Sequence, residues 1–253
     1  MKTNHRIDGS AGPWVGFLTG IANDLTLWDA QAAALARDFR VLRYDLRGHG
    51  GSESTAGDYS IGLLVQDLLD LLNHLKIQKT SLVGLGLGGA IAQAFAIEHP
   101  GRVDKLVPCC CRARMVPDFA AMWHKLRETV RQKGLEAIVE PTVQRWFPEE
   151  FKAAHPEVLE KIRRMIRGTT QEGYLGVTAA FLGLNVEDQL GSIQAPALYV
   201  SGANDHLGGP PALMENLSSK VRSARHVSVP GAAHIANIQN PEGFNQVLRE
   251  FLR

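Results

Sequence analysis

The sequence predicts an α/β domain: a mostly parallel sheet flanked by helices and interrupted once by a helical insertion. Three observations predict it. Short apolar, β-prone runs alternate with one-sided helical segments over most of the chain. A strand, a tight turn and a helix read directly from Lys79 to Gln93, with four glycines in the six positions 84–89. Strand signals then stop from Arg112 to about Gly191 and resume afterwards.

In chain order, His5-Arg6-Ile7-Asp8-Gly9 reads as a short polar strand, and Ser10-Ala11-Gly12-Pro13 as a turn. Trp14 to Leu18 is a buried strand by its apolar continuity. The loop Thr19 to Asp24 feeds a helix expected from near Trp28 to Arg37, and Arg40 to Tyr44 is the next strand. From Ile61 to Leu75, apolar residues at Leu64, Leu68, Leu71, Leu72 and Leu75 have the spacing of a one-sided helix. The glycine-rich turn follows, then a strand from Lys105 to Cys110. Beyond it, helical segments are broken at Pro117, Gly134, Pro148, Pro156 and Gly168. Ala197 to Ser201 and His226 to Val229 return to strand character, and Phe244 to Leu252 closes the chain as an amphipathic helix. Residues 1–111 and 192–253 are therefore expected to form the core. Residues 112–191 are expected to form a helical cap over the carboxyl edge of the sheet, where ligands bind in such folds.

Bulk properties bound the partners. Lys plus Arg is 27 against 26 for Asp plus Glu, a net charge of +1, which gives no electrostatic case for nucleic acid or an anionic membrane. A hydrophobic content of 45% is ordinary for a globular chain. No run approaches the roughly 20 apolar residues of a spanning helix, and Met1 to Arg6 leads into polar sequence without an apolar signal region. A cytoplasmic enzyme acting on a small-molecule substrate is expected, with no nucleic-acid or membrane partner; a homodimer stays open. Cys109, Cys110 and Cys111 are consecutive, a spacing that suits neither a disulfide nor a metal site. They read as small residues packing a strand end, with a lesser option that one thiol faces the active-site cavity.

Gly84-Leu85-Gly86-Leu87-Gly88-Gly89 could in principle be a dinucleotide turn, its third glycine at Gly89. Such a fingerprint follows the first strand of its domain and precedes an acidic residue by about 20 positions. Here two strand-like runs come first, and Asp104 lies beyond a helix ending in His99-Pro100-Gly101. The same stretch resembles the nucleophile elbow G-x-S-x-G of the α/β-hydrolases. Gly84 and Gly88 stand where strand and helix approach too closely for side chains. At the centre, where that family carries its serine, this chain has Gly86.

Three further stretches support the resemblance. Tyr44-Asp45-Leu46-Arg47-Gly48-His49-Gly50-Gly51-Ser52 is similar to the family's Y-D-x-R-G-x-G-x-S turn. Ser201-Gly202-Ala203-Asn204-Asp205 is similar to its S-G-x-x-D, and Gly231-Ala232-Ala233-His234 to its G-x-x-H. The resemblance implies an α/β-hydrolase fold with Asp205 as the triad acid and His234 as the catalytic histidine, in the family's chain order. It narrows to the β-ketoadipate enol-lactone hydrolases through His5 to Gly9, Val41 to Asp45, Arg145-Trp146-Phe147 and His234 to Asn237. Those enzymes usually carry another strand ahead of the one containing Ile7, so a sheet lacking that edge strand is expected. Relatives assigned to aminoacrylate or carbamate hydrolysis in pyrimidine breakdown also lack the elbow serine and carry alanine there, so its loss does not imply lost activity.

What chemistry remains follows from the resemblance. His234, oriented by Asp205, can deprotonate a water or remove a proton from carbon. The backbone N–H groups of Leu87 and Ile21 would still form an oxyanion hole. Arg145 suits a substrate carboxylate; with Trp146 it either faces the substrate or packs inside the cap. Asn204-Asp205 is turn-forming in its own right, and His234 could be a structural loop histidine. His49, His74, His99 and His206 read as surface or turn residues. No cofactor and no metal are called for. Three readings stay open: a hydrolase-like enzyme without a serine nucleophile, a serine hydrolase inactivated at position 86, and a ligand-binding pseudoenzyme.

Overall fold

The computed structural model describes the whole chain, Met1–Arg253. The first strands are β1 (His5–Asp8) and β2 (Trp14–Leu18); a 3₁₀ turn then leads into α1 (Asp29–Leu35). The Asp24 side chain caps that turn by accepting the Thr26 N–H at 2.8 Å. Next come β3 (Arg40–Tyr44), α2 (Ile61–His74), β4 (Thr80–Leu85), α3 (Leu87–Glu98) and β5 (Val103–Cys109). Five helices follow: α4 (Pro117–Lys133), α5 (Glu136–Trp146), α6 (Glu149–Ala154), α7 (Pro156–Arg167) and α8 (Gln171–Leu182). The chain ends with β6 (Ala197–Gly202), α9 (Pro211–Ser219), β7 (Ala224–Val229), α10 (Ala236–Gln239) and α11 (Pro241–Leu252).

The seven strands form one sheet in the order β1-β3-β2-β4-β5-β6-β7. All pairings are parallel except that of β1, a short polar edge strand antiparallel to β3. Strand order reverses between β2 and β4, whose shared carboxyl ends make the topological switch point where such sheets bind ligands. β4 is buried at every position, as a parallel strand covered on both faces must be. α3 is buried from Leu87 to Ala96; it is apolar all round because it lies within the core rather than on it. No helix is long and apolar enough to cross a membrane.

The breakers in the helical stretch act as its sequence chemistry requires. Pro117 and Pro156 open α4 and α7, where a missing N–H costs nothing. Pro148 caps α6, and Gly134 and Gly168 end α4 and α7. The insertion is tied to the core at the turn after β3. Thr170 N–H donates to the Gly48 carbonyl at 2.8 Å, and a Cβ on Gly48 would lie 2.3 Å from Gly173 Cα. Buried Arg127 on α4 donates to Asp58 at 2.8 Å and to Thr178 on α8 at 2.9 Å.

His49 is a turn residue, as expected, and it is fully buried, 0% exposed. Its Nδ1 donates to the Arg47 carbonyl at 3.0 Å, and its Nε2 is buried without a partner. Burial pushes its pKa down to about 4. His74 and His206 are exposed and His99 is half-buried.

Candidate active site

The pairing of Leu18 with Gly84 sets the ends of β2 and β4 side by side. The chain then turns through Gly86 at φ 57° and ψ −118°, a region that L side chains rarely adopt. Two close approaches hold the turn. A Cβ on Gly84 would lie 2.3 Å from the Gly88 carbonyl oxygen, and one on Gly88 would lie 2.4 Å from that of Leu18. Gly86 itself is different. A Cβ there would be 3.9 Å from His234 Nε2 and 3.9 Å from Gly20 Cα, with nothing nearer. The position admits a side chain aimed at the imidazole, and the sequence supplies none. Leu87 is the first residue of α3, so its N–H has no carbonyl four residues back within the helix. The Ile21 N–H, in the loop after β2, donates to no protein acceptor. Both residues line the same cavity as Gly86.

His234 comes from the loop after β7 and Asp205 from the turn after β6. Their side chains meet, with His234 Nδ1 3.2 Å from Asp205 Oδ2. Asp205 also accepts the N–H of Leu207 at 2.8 Å and of Gly209 at 3.1 Å, so it is a turn residue and the histidine's partner at once. Burial pushes its carboxyl up, but His234 and the two N–H groups outweigh this and hold it below the ordinary value. A carboxylate only accepts, so the hydrogen bond to Asp205 is donated by Nδ1 of His234, and Nε2 is the ring nitrogen that faces Gly86. Gly208 lies against the ring: a Cβ there would be 2.3 Å from His234 Cε1.

The opposite wall is built from side chains of the helical insertion. Arg145 and Trp146, in the last turn of α5, line the cavity with His234. The Trp146 and His234 rings are 6.3 Å apart. Half-buried Arg145 has no hydrogen-bond or ion-pair partner in the protein, and burial lowers its pKa; a guanidinium stays charged even so. Phe119, Trp123 and Phe181 meet edge to face with centroids 5.3–6.2 Å apart, and Met122 completes that wall. Cys110 and Cys111 also line the cavity. Burial pushes their thiols well up, so they stand as neutral, unreactive groups. The room inside is about 50 Å³, enough for a few water-sized molecules or a small acyl group.

All the residues expected at the site thus meet at one cavity, Asp205 from behind His234. Sequence reading missed Asn23, Gly208 and the aromatic wall. Asn23 is buried beside Gly20 and lines the cavity. The Phe119 and Trp123 spacing of one helical turn was a signal for that wall, but its partner Phe181 lies far along the chain.

Residues 13–241 match the α/β hydrolase fold family, and the chain belongs to that family. Its relatives include 3-oxoadipate enol-lactonase 2 of Acinetobacter baylyi, 30% identical over 100% of this chain and 94% of that one. A protein of Rhizobium rhizogenes assigned to carbamate hydrolysis is 25% identical, with 98% and 96% covered. The crystal structure of the enol-lactonase from Burkholderia xenovorans LB400 superposes with a TM-score of 0.94 at 34% identity, covering 99% of this chain and 96% of that one. The chain is a hydrolase-like enzyme of this fold.

Proposed function

We propose that the protein hydrolyses a small, carboxylate-bearing lactone or ester by direct attack of water, without an acyl-enzyme. His234 takes the water proton on Nε2 while Asp205 fixes its tautomer and stabilises the imidazolium. The oxygen adds to the carbonyl carbon, and the carbonyl electrons move onto an oxyanion held by the N–H groups of Leu87 and Ile21. Collapse expels the alkoxide or enolate, which takes the proton back from His234. Arg145 holds the substrate carboxylate, and residues 112–191 act as the cap that selects the remainder. The observation that carries this reading is the geometry at Gly86. The elbow keeps its turn, and the paired His234 base lies 3.9 Å from where a side chain would begin. The enol-lactonase relatives supply the substrate class.

A serine-directed phosphonate is expected to leave no added mass on the intact protein. His234→Ala is expected to lower turnover by about 10²–10⁴-fold with the fold retained, the usual share of a general base. The clearance at Gly86 also accommodates a second reading, a serine hydrolase whose serine has been replaced. Gly86→Ser separates the two. If water is the nucleophile, the hydroxyl displaces it and turnover of carboxylate-bearing lactones falls. A rise of several orders of magnitude with covalent phosphonate labelling would establish the second reading instead.

A further inference from the structure

We propose that Gly86 makes this site an acyl-transfer centre for short primary alcohols, which attack the substrate directly in place of water. The inference rests on the reading of the site as one that activates an external nucleophile. In a serine elbow the position beside the histidine is occupied by the protein's own hydroxyl. An external alcohol can then act only on an acyl-enzyme. Here the corresponding region has nothing closer than 3.9 Å to a Cβ position on Gly86, and it opens onto His234 Nε2. An unbound oxygen must stand further from Gly86 Cα than a covalently attached one, which moves it towards the imidazole and the substrate carbonyl.

The surroundings favour an alkyl group. Twelve of the eighteen residues lining the cavity are hydrophobic, and the buried thiols of Cys110 and Cys111 are uncharged. Burying one methyl group from water favours methanol over water by about fourfold. The step balances without any further reagent. For an ester RCO–OR′ and methanol, His234 Nε2 takes the hydroxyl proton while the methanol oxygen bonds to the carbonyl carbon. The C–OR′ bond then breaks, and R′O⁻ leaves with the proton from His234, giving RCO–OCH₃ and R′OH. Nothing is oxidised or reduced.

The test uses the unaltered protein with a series of acetate esters that share the acetyl group but differ in leaving group, from p-nitrophenyl to phenyl to vinyl, in buffer containing methanol. Methyl acetate and acetate are quantified by gas chromatography and corrected for the rate with His234→Ala. Expected is a methyl acetate to acetate ratio about fourfold above the methanol-to-water mole ratio, changing with the leaving group because each ester is attacked directly. A ratio identical for every leaving group would mean a common acyl-enzyme and would overturn the proposal. So would hydrolysis without any methyl acetate, which leaves the water mechanism standing. Absence of any reaction above His234→Ala would sink the water mechanism itself, and the transfer with it.

Discussion

The two sides of the cavity are made in different ways. The elbow side is made largely of backbone, Gly84 against Gly88 and Gly88 against Leu18, with Gly208 set against the His234 side chain. There a single added carbon would meet another atom at 2.3–2.4 Å. The insertion side is made of side chains, with Arg145, Trp146, Phe119, Trp123 and Phe181 reaching in from helices. Close-packed backbone has one arrangement; a wall of side chains can repack around volume-conserving changes. On the proposed reading, the chemistry is held by the close-packed side and recognition by the side that can repack.

The sharpest way to break this contrast is Gly208→Ala. Its methyl group would displace the imidazole from Asp205 and the nucleophile. Turnover is expected to fall by about 10²-fold, the cost of misplacing a reacting group by about 1 Å. The loss should be similar for every substrate, charged or neutral, and thermal stability should fall as well, because the same methyl group would lie 3.0 Å from the Cys110 carbonyl oxygen. A loss confined to one substrate class would move Gly208 to the recognition side. Arg145→Gln should behave in the opposite way. Removing a charge-assisted contact is expected to raise KM for carboxylate-bearing esters by about 10–100-fold. Neutral esters of the same size should change little, and steady-state kinetics on matched pairs reads the difference. Equal effects on both would remove the carboxylate role.

A third expected effect, on stability rather than turnover, lies at the turn carrying His49, where the helical insertion meets the core. Its folded pKa of about 4 lies below the ordinary value of about 6.5. The folded state favours the neutral ring, so the unfolded chain binds the extra proton between those values. Stability is then full above about pH 6.5 and falls as pH drops towards 4, by at most about 3 kcal/mol. Urea unfolding across that range, compared with His49→Gln, should show a slope in the native protein that the variant lacks. Parallel curves would mean that His49 is solvated.

The same contrast explains what the sequence could disclose. Backbone approaches demand glycine, so Gly84 and Gly88 marked the elbow, and the short stretches around Asp205 and His234 followed in family order. The strand and helix positions were legible because burial on both faces of a parallel sheet leaves continuous apolar runs. The aromatic wall was not legible: Phe119 and Phe181 come from α4 and α8, and nothing in their spacing announces that they touch. Arg145 and Trp146 stood out only through resemblance to enol-lactone hydrolases. The turn at His49 was legible but its burial was not, because α8 is seated on that turn through Gly48 and Gly173.

The conformation of Gly86 bears on how such a site changes over generations. At φ 57° and ψ −118°, glycine rests without the steric penalty that serine would carry, a difference of order 1–3 kcal/mol. Domains hold only about 5–15 kcal/mol in total. If glycine arose here from serine, as the proposed reading has it, the exchange would release folding free energy that later destabilising substitutions elsewhere could consume. Once they have, restoring the hydroxyl requires stability the chain no longer has in reserve. The elbow then acts as a ratchet, easier to leave than to re-enter.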